Sequence, residues 1–208
     1  QQCNMTRMGD DNPNDKDDNY FSIEIVTEAP NNLSQLVQLV NDVYDEAEAG
    51  MWQQRGVRTH EEELRGLIED QRLIVAQRRN CWVGCVKVDT CENKTAGEFG
   101  MLVVDPQFRG QGVGGRLISA AETWARQRGY HVMQLELLTP RSWKQPSKEF
   151  NQQWYTRLGY VPRKTEPFER DYPHLINLLA TECDYTIWTK SLVPLQRMQG
   201  GWNDEACI

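Results

Sequence analysis

Hydrophobic positions along the chain recur with two periods, and the alternation between the periods lays out the elements. Ile23, Ile25 and Thr27 alternate with polar residues as a first strand. Pro30-Asn31-Asn32 then leads into a helix with apolar positions at Leu33, Leu36, Val37, Val40, Val43, Tyr44 and Ala47, where Asn32 and Gln35 resemble a capping box. Gly50 breaks that run, and Thr59 with Glu62 caps a second helix that turns Leu64, Leu67 and Ile68 inward. Leu73 to Arg78 and Cys81 to Val88 read as a hairpin turning at Arg79-Asn80, followed by a polar loop from 89 to 96.

Residues 98 to 104 are apolar and partly β-branched, as a buried strand requires, and Asp105-Pro106 stops the ladder because proline has no N–H. Val113, Leu117, Ala121, Trp124 and Ala125 return at helical spacing, with Gly129 where a helix C′ residue stands. Val132 to Leu138 makes the next strand, and the proline-rich stretch 139 to 146 a loop. Ser147 caps a helix running to Leu158, and a strand starts at Tyr160. Asp171 to Thr181 forms a short additional helix, and Asp184 to Lys190 the last strand. Residues 1–19 and 194–208 are polar with little to bury, which predicts flexible tails around one domain spanning 20–193. This order of elements predicts an α/β fold with a mixed sheet and helices on both faces.

Composition narrows the function classes. At 208 residues, 39% hydrophobic and 25% charged, the chain supports a full core, and no apolar run approaches the roughly 20 residues of a membrane span. A net charge of -7 argues against general nucleic-acid affinity and suits a cationic substrate, for which Glu46 and Glu48 are candidate contacts. The six cysteines at 3, 81, 85, 91, 183 and 207 include no C-x-x-C pair and complete no zinc set, so free thiols and no metal are expected. Asn4, Asn32 and Asn93 begin formal glycosylation sequons, but no apolar signal core precedes them. The expected location is the cytoplasm, with the nucleus as an alternative, and the expected state a monomer or homodimer.

The chemistry concentrates between Gly97 and Gly129. There a strand gives way to Arg109-Gly110-Gln111-Gly112-Val113-Gly114-Gly115, and a helix opens on the glycines. A helix start offers unpaired N–H groups and the positive end of its dipole, and glycines let a pyrophosphate rest directly on the backbone. Gly110, Gly112 and Gly115 match G-x-G-x-x-G with Glu136 about twenty residues on, the pattern of a dinucleotide-binding fold. Against that fold, Asp105 to Arg109 separate strand from glycines, and about a hundred residues precede the motif.

Arg109-x-x-Gly112-x-Gly114 also resembles the acyl-CoA pyrophosphate motif of the GNAT superfamily of N-acetyltransferases, and Val104 to Gly110 resembles the strand-to-loop passage before it. Trp154-Tyr155-Thr156-Arg157-Leu158-Gly159-Tyr160 is similar to the later motif of that superfamily. Two motifs in order, with a strand between them, cover the chain from about 22 to 192. The resemblance implies a mostly antiparallel central sheet with two splayed central strands. It also implies acetyl-CoA as acyl donor, and a small-molecule or peptide amine as acceptor. The cofactor would be held by Leu102, Val103, Val104, Arg109, Gly110, Gln111, Gly112, Val113, Gly114 and Gly115. The N–H groups around Leu102 to Val104 would stabilise the oxyanion.

In the same resemblance Tyr155 is the acid for the leaving thiolate, or else a packing residue. Glu98, with Glu136 on the neighbouring strand, is a candidate base. Met51 and Trp52 lie on the linker that overlies the acceptor site in these proteins, and either line that site or plug the core edge. Lys148 stands where an asparagine is usual, and with Lys144 and Arg141 makes the preceding loop basic. It binds a CoA or substrate anion, or is a solvated lysine. A non-catalytic acyl-CoA-binding module is the alternative to an enzyme.

Overall fold

The computed structural model describes residues 21–53, 57–79, 81–91 and 93–193, so the two tails expected from the sequence lie outside the described residues. All seven strands belong to one sheet in the order β1-β2-β3-β4-β5-β7-β6, with β1 Ser22–Ile25, β2 Leu73–Arg78, β3 Cys81–Thr90, β4 Gly97–Val104, β5 Val132–Pro140, β6 Val161–Pro167 and β7 Cys183–Ser191. The helices are α1 Leu33–Ala47, α2 Glu61–Glu69, α3 Val113–Gln127, α4 Pro146–Arg157 and the short α5 Phe168–Asp171. The chain divides into two compact units, one of residues 1–49, 54–87 and 101–120, the other of 50–53, 88–100 and 121–208, so far as these are described.

The first unit is an antiparallel meander packed by amphipathic helices. β1 pairs β2 (Ile25 opposite Ile74) and β2 pairs β3 (Leu73 opposite Lys87), with an irregularity between Ala76 and Gln77. Leu36 and Val40 of α1 and Leu64 and Ile68 of α2 are buried with Leu73, Val75 and Cys85, which is the inward set expected from 3.6-residue periodicity. The start of α3 lies on the other side of β3. A Cβ on Gly84 would stand 2.3 Å from the Val103 carbonyl oxygen and 3.3 Å from Leu117. Only glycine fits there, and helices therefore cover both faces. In β4, Met101 takes φ +48°, a left-handed conformation in mid-strand that interrupts the pleat.

In the second unit β5 pairs β7 antiparallel over nine residues, from Val132 opposite Ser191 to Pro140 opposite Cys183, and β7 pairs the edge strand β6. The parallel β4–β5 ladder is short: Gly97 opposite Met133 and Glu98 opposite Gln134. Gly97 leaves room for Ala125 of α3, whose methyl would be 2.7 Å from an added Cβ.

Several expected details differ. Asn32 makes no side-chain cap, and α2 starts at Glu61 after His60. Thr59 instead donates from Oγ1 to Glu63 (2.9 Å) and takes Asn41 Oδ1 on its N–H. Gln145, not Ser147, caps α4 by accepting the Ser147 N–H (3.2 Å). The helix expected over 171–181 is α5 followed by a 3-10 turn at Pro173–Leu178, because Pro173 resets the chain. Cys81 is disulfide-bonded, against the expectation of free thiols, while Cys85, Cys91 and Cys183 form no disulfide. Among the described residues no helix is long and apolar enough to cross a membrane, and no His/Cys/Asp/Glu group could hold a metal.

Candidate active site

The glycine turn lies wholly in the first unit. After β4, Asp105 accepts the Gln107 N–H (2.8 Å) and a 3-10 turn, Pro106–Phe108, leads to Arg109. Gly110 and Gly112 take φ +78° and +81°, conformations that side chains rarely adopt, and the chain then enters α3. The first intrahelical bond runs from Arg116 N–H to the Gly112 carbonyl (3.1 Å), so the N–H groups of Val113, Gly114 and Gly115 have no acceptor one turn back. No acidic side chain occupies this first turn. Gly115 is helical, and a Cβ there would meet no atom within 4 Å. A glycine inside a helix costs about 1 kcal/mol relative to alanine, and no protein atom in reach requires the gap. A helix start free of side-chain bulk lets a phosphate approach the backbone closely.

Arg109 is engaged by α1. Its guanidinium donates to both carboxylate oxygens of Glu46 (2.9 and 3.0 Å), a bidentate pair that raises the arginine pKa and lowers that of Glu46, chiefly through the hydrogen bonds. Glu46, a candidate contact for a cationic substrate, is therefore committed to the glycine turn. Leu102, Val103 and Val104 follow Met101, and Val103 turns into the core with Cys85 and Leu36.

The carboxylates and Tyr155 lie in the second unit. Side chains alternate along a strand, so Glu98 and Gln134, paired across the ladder, share one face with Glu136. Gln134 Nε2 donates to Glu98 Oε2 (2.6 Å), and the Tyr172 hydroxyl donates to Glu136 Oε2. Glu136 stands about 7 Å along β5 beyond the last ladder pair. Phe99 faces the other way and meets the rings of Tyr155 (6.0 Å) and Tyr160 (5.7 Å). The structure thus brings Glu98, Glu136 and Tyr172 together on one face and sets Tyr155 on the opposite face of the same strands. Tyr155 is only 6% exposed, tilted against Trp154 and edge-on to Tyr160.

Met51 is fully buried in a cluster with Phe168, Cys183 and Tyr185, and half-buried Trp52 packs edge-on against Phe168 (6.3 Å). Lys148 is buried in the first turn of α4, which overturns the solvated alternative. The loop before it is not a free basic patch either: Arg141 pairs with Asp184 (2.5 Å), Glu169 (2.8 Å) and Glu182 (3.6 Å), and Lys144 with Glu149 (2.9 Å). Sequence reasoning missed Gln134 and Tyr172. The β5 alternation could have placed Gln134 beside Glu98, but nothing local marks Tyr172, whose contact with Glu136 spans 36 positions.

Residues 69–162 match the family model described as acetyltransferase (GNAT) domain. An uncharacterized N-acetyltransferase of Methanocaldococcus jannaschii is 30% identical over 80 residues, 38% of this chain and 32% of the relative, so the match spans about a third of that protein's length. The N-acetylglutamate synthase of Neisseria gonorrhoeae, solved with coenzyme A and N-acetyl-glutamate, aligns with TM-score 0.59 and 17% identity over 84% of this chain and 36% of its own. An aminoglycoside 6'-N-acetyltransferase solved with coenzyme A aligns with TM-score 0.63 and 19% identity over 83% of this chain and 98% of its own. At such identities the structural likeness carries the fold.

Proposed function

We propose that this chain, whose residues 69–162 match the GNAT acetyltransferase domain model, moves an acetyl group from acetyl-CoA to a primary amine by direct attack. The observation that carries the reading is the glycine turn: two left-handed glycines, then a helix whose first turn has N–H groups with no acceptor one turn back, no acid, and open space where a side chain at Gly115 would stand. The pyrophosphate of the donor would rest on the N–H groups of Val113, Gly114 and Gly115, with Gly110, Gln111 and Gly112 forming the approach. Arg109, fixed by Glu46, shapes the turn. Lys148 would hold a further anionic group of the donor.

Acetyl-CoA supplies the acyl group as a thioester. Glu98 or Glu136 would take the proton that a cationic amine, with its ordinary pKa near 10, must lose before it attacks. N–H groups of Leu102 to Val104 would stabilise the oxyanion, and Tyr155 would return a proton to the leaving sulfur. As the amine nitrogen bonds to the carbonyl carbon the carbon–sulfur bond breaks. The nitrogen sheds its second proton as the amide forms, which through solvent restores the Tyr155 phenol, and the products are an amide, a thiol and the proton taken up by the carboxylate. Base and acid on opposite faces of the same strands suit a reaction in which acceptor and donor approach from different sides. The acceptor class is a cationic small molecule or a peptide amine, and Met51 and Trp52 would support that side as packing.

A non-catalytic acyl-CoA-binding module is the second reading, favoured by the burial of Tyr155. Cytoplasmic or nuclear residence belongs to the first proposal; the disulfide at Cys81 is the observation against it, since disulfides persist in oxidising compartments. The test is calorimetric titration with acetyl-CoA, CoA and NAD, followed by an acetyl-CoA consumption screen over an amine panel. Acetyl-CoA should bind, and Gly112→Val should weaken it at least tenfold by placing a branched side chain where the phosphate approaches and straining φ +81°. Wild-type affinity in Gly112→Val would remove the phosphate from this turn. Binding of NAD alone would return the dinucleotide reading, and binding without turnover of any amine would favour the module.

A further inference from the structure

The segment between β6 and β7 is built as a support rather than a loose connection. Its backbone is stitched to the stretch after α1: Gln53 N–H donates to the Leu178 carbonyl (2.8 Å), Ala180 N–H to that of Met51 (2.9 Å), and Gln53 Nε2 to that of Leu179 (3.0 Å). Its aromatic residues Phe168 and Tyr172 join Trp52 and the β7 residue Tyr185 in a continuous series. Trp52 meets Phe168 edge-on, Phe168 stacks on Tyr172 (4.7 Å, 19°), and Tyr172 meets Tyr185 edge-on (5.6 Å, 82°). Tyr185 is itself fixed, donating its hydroxyl to Asp171, which Arg170 also holds. A ring pinned on two sides has one place for its hydroxyl, and that place is against Glu136 Oε2.

We propose that Tyr172 is a positioning residue that fixes the Glu136 carboxylate toward the acceptor amine, an inference that rests on the acyltransferase reading. The geometry carries it: a stacked phenol on a stitched segment reaches a strand carboxylate just past the end of the β4–β5 ladder, with Glu98 and its Gln134 partner on the same face. The titratable groups facing the Tyr172 phenol are Glu136, Glu98 and Tyr185. Burial first, then the hydrogen bond and charge of Glu136, then the charge of Glu98, all push its pKa upward. The phenol stays protonated at working pH, so it donates to Glu136 and does not compete as acid or base. A carboxylate held in one rotation meets the amine in one orientation, and such preorganisation is what displacement of about 1 Å forfeits.

Two measurements test this. In protein labelled with 13C at tyrosine Cζ, the Tyr172 signal is assigned by its loss in Tyr172→Phe; Glu136→Gln should bring the Tyr172 titration down toward the ordinary tyrosine value of about 10. In kinetics Tyr172→Phe keeps the ring and its stack. Acetyl-CoA affinity should be unchanged, kcat/KM for the acceptor should fall about tenfold, and the acidic limb of the pH profile should move to higher pH, because a carboxylate that loses a donor ionises less readily. A Tyr172 titration that ignores Glu136→Gln overturns the inference whatever the activity. A wild-type pH profile and kcat/KM in Tyr172→Phe, with only a lowered Tm, also overturns it and makes Tyr172 a packing residue. No turnover of any amine by the wild type overturns the acyltransferase reading, and with it a positioning role in catalysis; the titration then still decides whether Tyr172 holds Glu136.

Discussion

Tyr155 concentrates the question of which side chains do chemistry. Its ring is enclosed by Phe99, Trp154 and Tyr160, so the packing belongs to the ring and any chemistry to the hydroxyl. Tyr155→Phe separates the two. Acetyl-CoA affinity should stay within a few fold while turnover falls about 10²-fold, the scale of a lost general acid; steady-state kinetics beside calorimetry makes the measurement. Unchanged turnover with a lower melting temperature would assign Tyr155 to the core. At this scale the candidate site was partly legible. The glycines and Tyr155 announce themselves by motif, whereas Tyr172 and the Glu46 partner of Arg109 are separated from their targets by 36 and 63 positions. No local pattern encodes such distances.

Helix α3 and strand β7 meet through a buried polar group. Glu122 of α3 is only 6% exposed, and it accepts from the Tyr160 hydroxyl (3.0 Å), Lys190 Nζ of β7 (2.8 Å) and, more weakly, Arg126 (3.4 Å). The ammonium also lies 5.5 Å from the centroid of the Tyr160 ring. Lys190→Met keeps the aliphatic stem and leaves Glu122 short of its nearest charge, so it should destabilise by about 2 kcal/mol, with Arg126 offsetting part of the loss. Urea denaturation reads this, and adding Glu122→Gln should recover part of it; a double variant as unstable as the sum of the singles would mean that the pair does not couple. The helices α1 and α3 were readable because burying one face forces a 3.6-residue repeat. Their caps were not: Asn32, Thr59 and Ser147 have cap chemistry, but Asn32 makes no cap bond, and the backbone N–H groups of Thr59 and Ser147 are taken by Asn41 and Gln145.

Across the whole molecule the buried titratable groups act together with pH. Burial raises the Cys85 thiol to about 12, and burial likewise raises Tyr44, Tyr160 and Tyr172, with Tyr185 reaching about 12. Each of these groups keeps its proton in the folded chain at a pH where the unfolded chain has released it. The folded state thus binds more protons between the unfolded and folded values, and stability falls as pH rises through that interval. Below about pH 9, near the ordinary thiol and phenol values, the contribution is fully present. The urea midpoint should drop steadily from about pH 9 to 12. A flat or rising midpoint over that range would contradict the burial of these groups.

The sequence by itself determined the strand and helix order, the glycine turn opening α3 and the pairing of two motifs, because each is a local demand: a buried face sets a period, proline ends a ladder, and φ near +80° requires glycine. The break in β4 at Met101, the burial of Lys148, the neutralised Arg141 loop and the hold of Tyr172 on Glu136 were decided only by the tertiary structure. In each case the deciding energy comes from a partner far along the chain or from desolvation. Neither exists until the strands and helices have packed.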